Sequence, residues 1–240
     1  MFSKKVTIEL NNRDDPVHLE PLSDIHIGHA GFDEELYIDR VQSITDDPDR
    51  YTIFLGDQID AITTFDKRFN PDMSKEHDID NQRLKWDELT QPLIQEHDTS
   101  HNEKIWGLLH GNHEYKIPQI TRSYLENHFT TPHGIDFLGS RAIIGLEIKH
   151  EEEILQQYTI LAIHGSGGGK PERMFEQMKK NVYADIFMCG HLHQKRYQPE
   201  LANDFDFATG QRWERDIHLI NAGTFCHTLV DGADGYMDRK

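Results

Sequence analysis

Basic residues are scarce in this chain. Of its 240 residues, 25 are Lys or Arg against 42 Asp or Glu, a formal net charge of −17. A surface of that sign repels nucleic-acid backbones and anionic membranes, so binding a long polyanion requires a local basic patch set against the overall field. Cysteine is scarcer still. Cys189 and Cys226 are too few for a disulfide framework, and both lie near apolar strand-like segments, which reads as a reducing compartment. No stretch reaches the length of a membrane span, and Met1 to Leu10 alternates polar and apolar residues where a signal peptide would carry an apolar run. The expectation is a cytoplasmic protein with no membrane contact; its oligomeric state is not legible.

What is present suffices to fold. With 36% hydrophobic and 28% charged residues the chain is polar but not disordered, and its length suits one domain over residues 1–240 with a core that needs no staples. Val6–Leu10 and Val17–Leu22 read as strands around the turn-forming Asn11 to Pro16, which predicts a hairpin. Tyr37, Val41 and Ile44 recur at helical spacing between Asp33 and Pro48, and the strand Tyr51–Leu55 follows to complete a βαβ unit.

Residues from about 65 to 102 are polar, with one weak helical pattern at Trp86, Leu89 and Leu93 divided by Pro92. They read as an insertion over one rim, bordering the substrate cleft. Further on come a strand at Lys104–Leu109, a helix marked by Ile120, Tyr124 and Leu125, and an antiparallel pair at Arg141–His150 and Gln157–Ile163. A short helix with Met174, Phe175 and Met178 on its apolar face leads to a buried strand at Asp185–Cys189. A polar excursion from Lys195 to Arg215 then precedes a last strand at Ile217–Asn221.

Five of these strands run into residues with metal-binding chemistry: Asp24 and His26; Gly56-Asp57; Gly111-Asn112-His113-Glu114; His164-Gly165; Gly190-His191-Leu192-His193. Taken alone, strand-Gly-Asp is an ordinary way to leave a sheet, and one His-Gly pair means little among 16 histidines. Recurrence at five strand ends is a different matter, because the carboxyl ends of strands in α/β units are where ligand-bearing loops gather. Asp24 and His26, like His191 and His193, are two apart, so an extended backbone would point both side chains to one side and Ile25 or Leu192 to the core. Carboxylate, imidazole and amide oxygens together suit Mn, Fe, Zn or Ni, and the absence of cysteine ligands points away from a closed structural zinc site.

The ordered set Asp24-x-His26, Gly56-Asp57, Gly111-Asn112-His113-Glu114, His164-Gly165 and Gly190-His191-x-His193 resembles the calcineurin-like metallophosphoesterase superfamily over residues from about 20 to 225. Asn221-Ala222-Gly223-Thr224 is similar to the turn that follows the family's last motif. The resemblance implies an α/β fold, a four-layer sandwich of two mixed β-sheets flanked by helices, with a dinuclear metal site at the strand carboxyl ends. It implies two divalent transition-metal ions, manganese first among them: one held by Asp24, His26, Asp57 and His193, the other by Asp57, Asn112, His164 and His191. Asp57 would bridge. A hydroxide shared by the two ions would attack the phosphorus, His113 would act as general acid, and Asp60 would orient His113, although Asp60 reads equally as a turn or helix cap.

The implied function is metal-dependent hydrolysis of a phosphoester. Protein phosphatases of this family carry an arginine after the orienting aspartate, and here that position is Ala61. A phosphodiester is therefore expected, with a nuclease or a nucleotide or cyclic-nucleotide phosphodiesterase as the form and a nucleotide or single-stranded nucleic acid as the partner. A phosphomonoesterase is the alternative enzyme, and a non-catalytic interaction scaffold the alternative of another class. Ser166-Gly167-Gly168-Gly169-Lys170 reads either as a backbone cradle for substrate oxygens or as a connector. Lys170, Arg173, Lys195 and Arg196 either form a local basic patch or are scattered solvated cations; His29, His110 and His227 flank the motifs and read as structural more than ligating.

Overall fold

The computed structural model describes residues 1–64, 66–95, 104–118, 122, 124–180 and 182–227. Its strands form two sheets. The smaller has the order β2 (His18–Leu22), β3 (Arg50–Phe54), β4 (Ile105–Leu108), parallel throughout. The larger is mixed and has the order β1 (Phe2–Glu9), β5 (Arg141–His150), β6 (Glu153–Ile163), β7 (Ile186–Cys189), β9 (Gln211–Asn221), β8 (Arg196–Asp206). Within it β6, β7 and β9 run parallel, so their carboxyl ends share one edge.

The expected hairpin between the first two strands does not form. The turn does: Asp15 Oδ2 accepts the Asn12 backbone N–H at 2.8 Å. But β1 pairs with β5 and β2 with β3, so this turn hands the chain from one sheet to the other. Both segments thereby lay apolar side chains on one shared core. That core joins Ile8, Ala142, Ile144 and Ile160 of the larger sheet to Ile53 and Trp106 of the smaller, with Val17 and Leu19 packed against it.

The helices α1 (Glu34–Asp46), α2 (Ile79–Thr90), α3 (Pro92–Gln95), α4 (Leu125–Thr130) and α5 (Pro171–Lys179) accompany the sheets. Asp33 caps α1 by accepting the Leu36 N–H at 3.0 Å, and Tyr37, Val41 and Ile44 form its buried face, as their spacing predicts. Burying each such side chain contributes roughly 1.5–3 kcal/mol. This face packs with Leu22, Phe54, Ile105 and Leu108 of the smaller sheet. Phe54 thus faces α1 while its neighbour Ile53 faces the other sheet, the two-sided burial that parallel strands require. On the larger sheet, Met174, Phe175 and Met178 of α5 pack against Leu161, Phe187 and Leu219.

Two polar stretches fold differently from their sequence reading. The segment expected as a rim insertion divides at Gln91 and Pro92 as predicted, yet Trp86, Leu93 and Ile94 belong to the core beside α1. Residues 65 and 96–102 of that stretch lie outside the described residues, as does Ile120 of the expected third helix, of which Leu125–Thr130 is described. The polar excursion is most of a long hairpin in which β8 and β9 pair from Arg196↔Asn221 out to Asp206↔Gln211. Cys189 and Cys226 are buried free thiols. No described helix is long and apolar enough to cross a membrane.

Candidate metal centre

The loops after β2, β3, β4, β6 and β7 meet at one place, and their backbone is unusual there. Asp24 (φ 51°), His26 (φ 53°), Asp57 (φ 54°), His191 (φ 69°) and His193 (φ 56°) are all left-handed, not extended as the two-residue spacing suggests. Each such non-glycine residue costs of order 1–3 kcal/mol and persists only where its surroundings impose it. Alternation survives the change: Ile25 and Leu192 are buried between the polar pairs.

The imposing contacts are explicit. Asp57 O accepts the N–H groups of Ile25 and His26 at 2.9 and 3.0 Å. Asp24 Oδ2 accepts from Ser23 Oγ at 2.6 Å and from the His191 N–H at 2.7 Å, tying the first loop to the last. The Thr224 hydroxyl donates to Asp24 O at 2.7 Å, which gives the turn after β9 its place in the site. Gly111 and Gly190 are glycines because these loops press together: an added Cβ would lie 1.8 Å from Asp57 Oδ1 or 1.9 Å from Ser23 Oγ.

The expected ligands converge in two neighbouring groups, Asp24, His26 and His193 in one and Asp57, His164 and His191 in the other. In the first, His26 Nε2 and His193 Nε2 stand 3.1 Å apart, and Asp24 Oδ1 is 3.2 Å from His193 Nε2. In the second, His164 Nε2 lies 3.2 Å from both Asp57 Oδ2 and Asn112 Oδ1. Asp57 Oδ2 is also 3.9 Å from His26 Nε2, so this carboxylate stands between the groups. Asp24, His26, Asp57 and His164 are at most 2% exposed.

The chemistry of this donor set fits cations. His164 Nδ1 donates to Leu55 O at 2.8 Å, which directs Nε2 at the oxygens of Asp57 and Asn112. His191 Nε2 donates to Gly167 O at 2.7 Å, leaving Nδ1 as its ligand atom. Asp24 Oδ1 is buried and no hydrogen bond of adequate geometry reaches it among the described residues. Burial alone would lower the pKa of His164, but the charge of Asp57 and its hydrogen bond push it up to about 10. Burial would likewise raise Asp57, and His164 with His113 hold it well below the ordinary carboxylate range. His26 differs: burial pulls it down to about 4, a neutral imidazole with a lone pair to offer. These buried His and Asp groups could hold metal ions.

His113 sits beside the ligands, 1% exposed, with its N–H donating to Asp57 Oδ1 at 2.9 Å. Its partner at Nδ1 is the backbone carbonyl of Asp60 at 2.5 Å; the Asp60 carboxylate is 3.5 Å away and equally near His26 Nδ1. The orienting contact expected of the Asp60 side chain is thus made mainly by its main chain. Burial raises the Asp60 pKa and drops that of His113 to about 4.

Two residues here have no role in the sequence reading. Arg68 donates from Nη1 to His113 Nε2 at 2.8 Å, and Asp66 holds the guanidinium in place through Nε at 3.2 Å and Nη2 at 2.9 Å. Asp66 also accepts from Lys116 Nζ at 2.7 Å. Glu114 accepts the backbone N–H groups of Asp57, Ile59 and Gly111 at 3.1–3.2 Å, binding the loops after β3 and β4 together. Burial, then the Asp57 charge, raises its pKa well above the usual carboxylate value. Glu114 had a visible signal in its place next to the Asn-His pair; Arg68 had none.

The flanking residues resolve unevenly. His29 Nδ1 accepts the Gly31 N–H at 3.0 Å, a local turn contact, and His227 pairs with Asp33 at 3.3 Å on the surface. Arg196 pairs with Glu172 at 3.5 Å, whereas Lys170 and Arg173 line a small cavity with Ser166, Gly167 and Gly168. No family model matches the chain, and no curated protein matches it.

Proposed function

We propose that the chain is a metal-dependent phosphoester hydrolase of the calcineurin-like metallophosphoesterase type, acting first on phosphodiesters. The observation that carries this reading is the convergence of acceptor atoms from Asp24, His26, Asp57, Asn112, His164, His191 and His193 at the strand carboxyl ends, with His113 beside them. Asp24, His26, Asp57 and His193 would hold one divalent ion and Asp57, Asn112, His164 and His191 a second, with manganese the leading candidate and iron, zinc or nickel the others. When bound, such ions neutralise phosphate oxygens and acidify water. The two sheets sharing one core, with helices on their outer faces, support the four-layer sandwich that goes with this reading.

The chain's own residues supply the rest. The Asp60 carbonyl fixes the Nδ1 proton of His113 and so turns Nε2 toward Arg68, leaving Nε2 as the atom that would carry a proton to the departing oxygen. Before substrate arrives, Nε2 accepts from Arg68. An anionic phosphoryl oxygen draws that guanidinium N–H away and frees Nε2; the negative charge brought beside the imidazole favours its protonation, so that Nε2 takes a proton from solvent and passes it to the departing oxygen. Arg68 also favours a second reading, a phosphomonoesterase, because a further guanidinium suits the dianion of a monoester.

Loading the full chain with manganese and assaying bis-nitrophenyl phosphate against mononitrophenyl phosphate tests both readings. Stoichiometric metal with faster diester turnover is expected. Faster monoester turnover would replace the first reading with the second, and metal-free protein with no turnover on either ester would overturn both.

A further inference from the structure

The larger sheet ends at β8, and no described strand pairs with its outer edge. Which backbone groups face outward there follows from β9. His218 N–H donates to Asp185 O at 2.8 Å and Ala222 N–H to Cys189 O at 2.9 Å, so alternate residues of β9 turn their backbone toward β7. Those between them, Ile217, Leu219 and Asn221, turn toward β8, where their partners are Glu200, Gln198 and Arg196. The intervening residues Tyr197, Pro199, Leu201, Asn203 and Phe205 therefore aim their backbone groups outward. Pro199 suits that place, since the donor it lacks would face solvent. Phe205 N–H is satisfied locally, on Asp204 Oδ1 at 3.1 Å.

The same five residues share one face of the strand. Tyr197, Leu201 and Phe205 are each half or more exposed there, and none of the five is charged, in a chain where 28% of residues are. The opposite face is braced. Arg215 reaches Asp185 at 2.5 Å and lies over the Tyr183 ring, Asp204 accepts from the Tyr183 hydroxyl, and Glu200 holds Lys179 at 2.8 Å. β7 pairs only with His218–Asn221 of β9, so from Glu200 to Ile217 the chain runs as a two-stranded arm. Two strands alone are marginal in water, and an open apolar edge is a template for another strand.

We propose that this strand is β8 of a second copy of the chain, running antiparallel across a two-fold axis at Leu201. The register is self-complementary. It pairs all of Arg196–Asp206, sets Leu201 against its own copy and Tyr197 against Phe205, and opposes Glu200 to Ala202 and Asp204 to Gln198. An axis at Glu200 would set that carboxylate against itself, and one at Ala202 would set Glu200 against Asp204. Pro199 falls opposite Asn203 and withholds one N–H per copy, while Tyr197, Leu201 and Phe205 bring both donor and acceptor. The net charge of −17 opposes association in general, which leaves an uncharged stripe as the place where two copies meet with least repulsion.

Sedimentation velocity of the full chain at about 50 µM tests this, and a two-copy mass is expected. Leu201→Lys, which brings two ammonium groups together on the axis, is expected to weaken association about tenfold or more. Leu84→Lys, at a comparably exposed site on α2, should leave it unchanged. Leu201→Cys reads the register: oxidation with copper–phenanthroline is expected to link two copies, whereas Phe207→Cys, just past β8 and far from its own copy, stays unlinked. The native thiols of Cys189 and Cys226 are buried and do not compete. A monomeric parent would leave the edge to a different partner and overturn the proposal. So would association that survives Leu201→Lys, or cross-linking as ready in Phe207→Cys as in Leu201→Cys.

Discussion

Arg68 reaches His113. Its Nη1 lies 2.8 Å from the imidazole Nε2 while Asp66 grips the far side of the guanidinium. A residue from the polar stretch after β3 therefore stands beside the proposed acid, supplying a guanidinium near a site where Ala61 follows Asp60. Removing it with Arg68→Ala is expected to lower kcat/KM on phosphoesters about tenfold or more with metal content unchanged, because a charge-assisted contact to the phosphoryl group is lost. Arg68→Lys is not expected to restore the activity, since an ammonium cannot hold the Asp66 fork and reach His113 together. Full activity in Arg68→Ala would show that the contact is only structural.

Asp57→Asn isolates the charge of the carboxylate between the two groups. The amide oxygen keeps the 2.9 Å contact that Asp57 Oδ1 makes with the His113 N–H, so the loop has reason to stay in place. Elemental analysis of the purified variant should show metal content well below that of the parent protein, with activity abolished. Normal occupancy would sink the bridging role.

For His113 the expectation is the reverse pattern. His113→Asn should retain its metals, yet lose about 10²–10⁴-fold in turnover on an unactivated diester, the usual range for general acid–base catalysis. On bis-nitrophenyl phosphate, whose leaving group needs little protonation, the loss should be much smaller. Equal losses on the two substrates would argue against proton donation.

Glu126 offers a test away from the ligands. It is 3% exposed, neither carboxylate oxygen has a hydrogen bond among the described residues, and His110 Nδ1 is 3.8 Å from Oε1. Burial pushes its pKa up to about 7. The folded state thus binds this proton more tightly than the unfolded chain, so stability falls as pH rises from the ordinary glutamate value through about 7 and then levels off. The loss is up to about 3 kcal/mol. Glu126→Gln should remove that slope and melt higher than the parent at pH 8, as read by denaturant or thermal unfolding across pH; a parallel pH dependence in both proteins would contradict it.

What could be read in advance divides along a physical line. The candidate ligand motifs were legible because each is a local pattern, an apolar strand running into a donor residue, with glycine before Asp57, Asn112 and His191 and after His164, and α1 was legible because Tyr37, Val41 and Ile44 keep helical period. The turn at Asn12–Asp15 was legible too, but pairing was not, since the partners of β1 and β2 are set by strands far along the chain. The β8–β9 hairpin hid because its outer residues are largely exposed on both faces, which erases the alternation that marks a strand. Arg68 was invisible for another reason: only the path of the chain after β3 carries it to His113. The left-handed ligands were missed because Asp and His in that conformation are exceptions imposed by tertiary contacts.

The hydroxyl of Thr224 on the carbonyl of Asp24 joins residues 200 apart in sequence. On a ribosome adding about 5–20 residues per second, Asp24 is made roughly 10–40 seconds before the residue that braces its loop. His26 waits nearly as long for His193, its neighbour in the same ligand group. The donor set is therefore complete only once His193 and Thr224 have been made, and any ion captured earlier would be held by a fragment of the candidate centre.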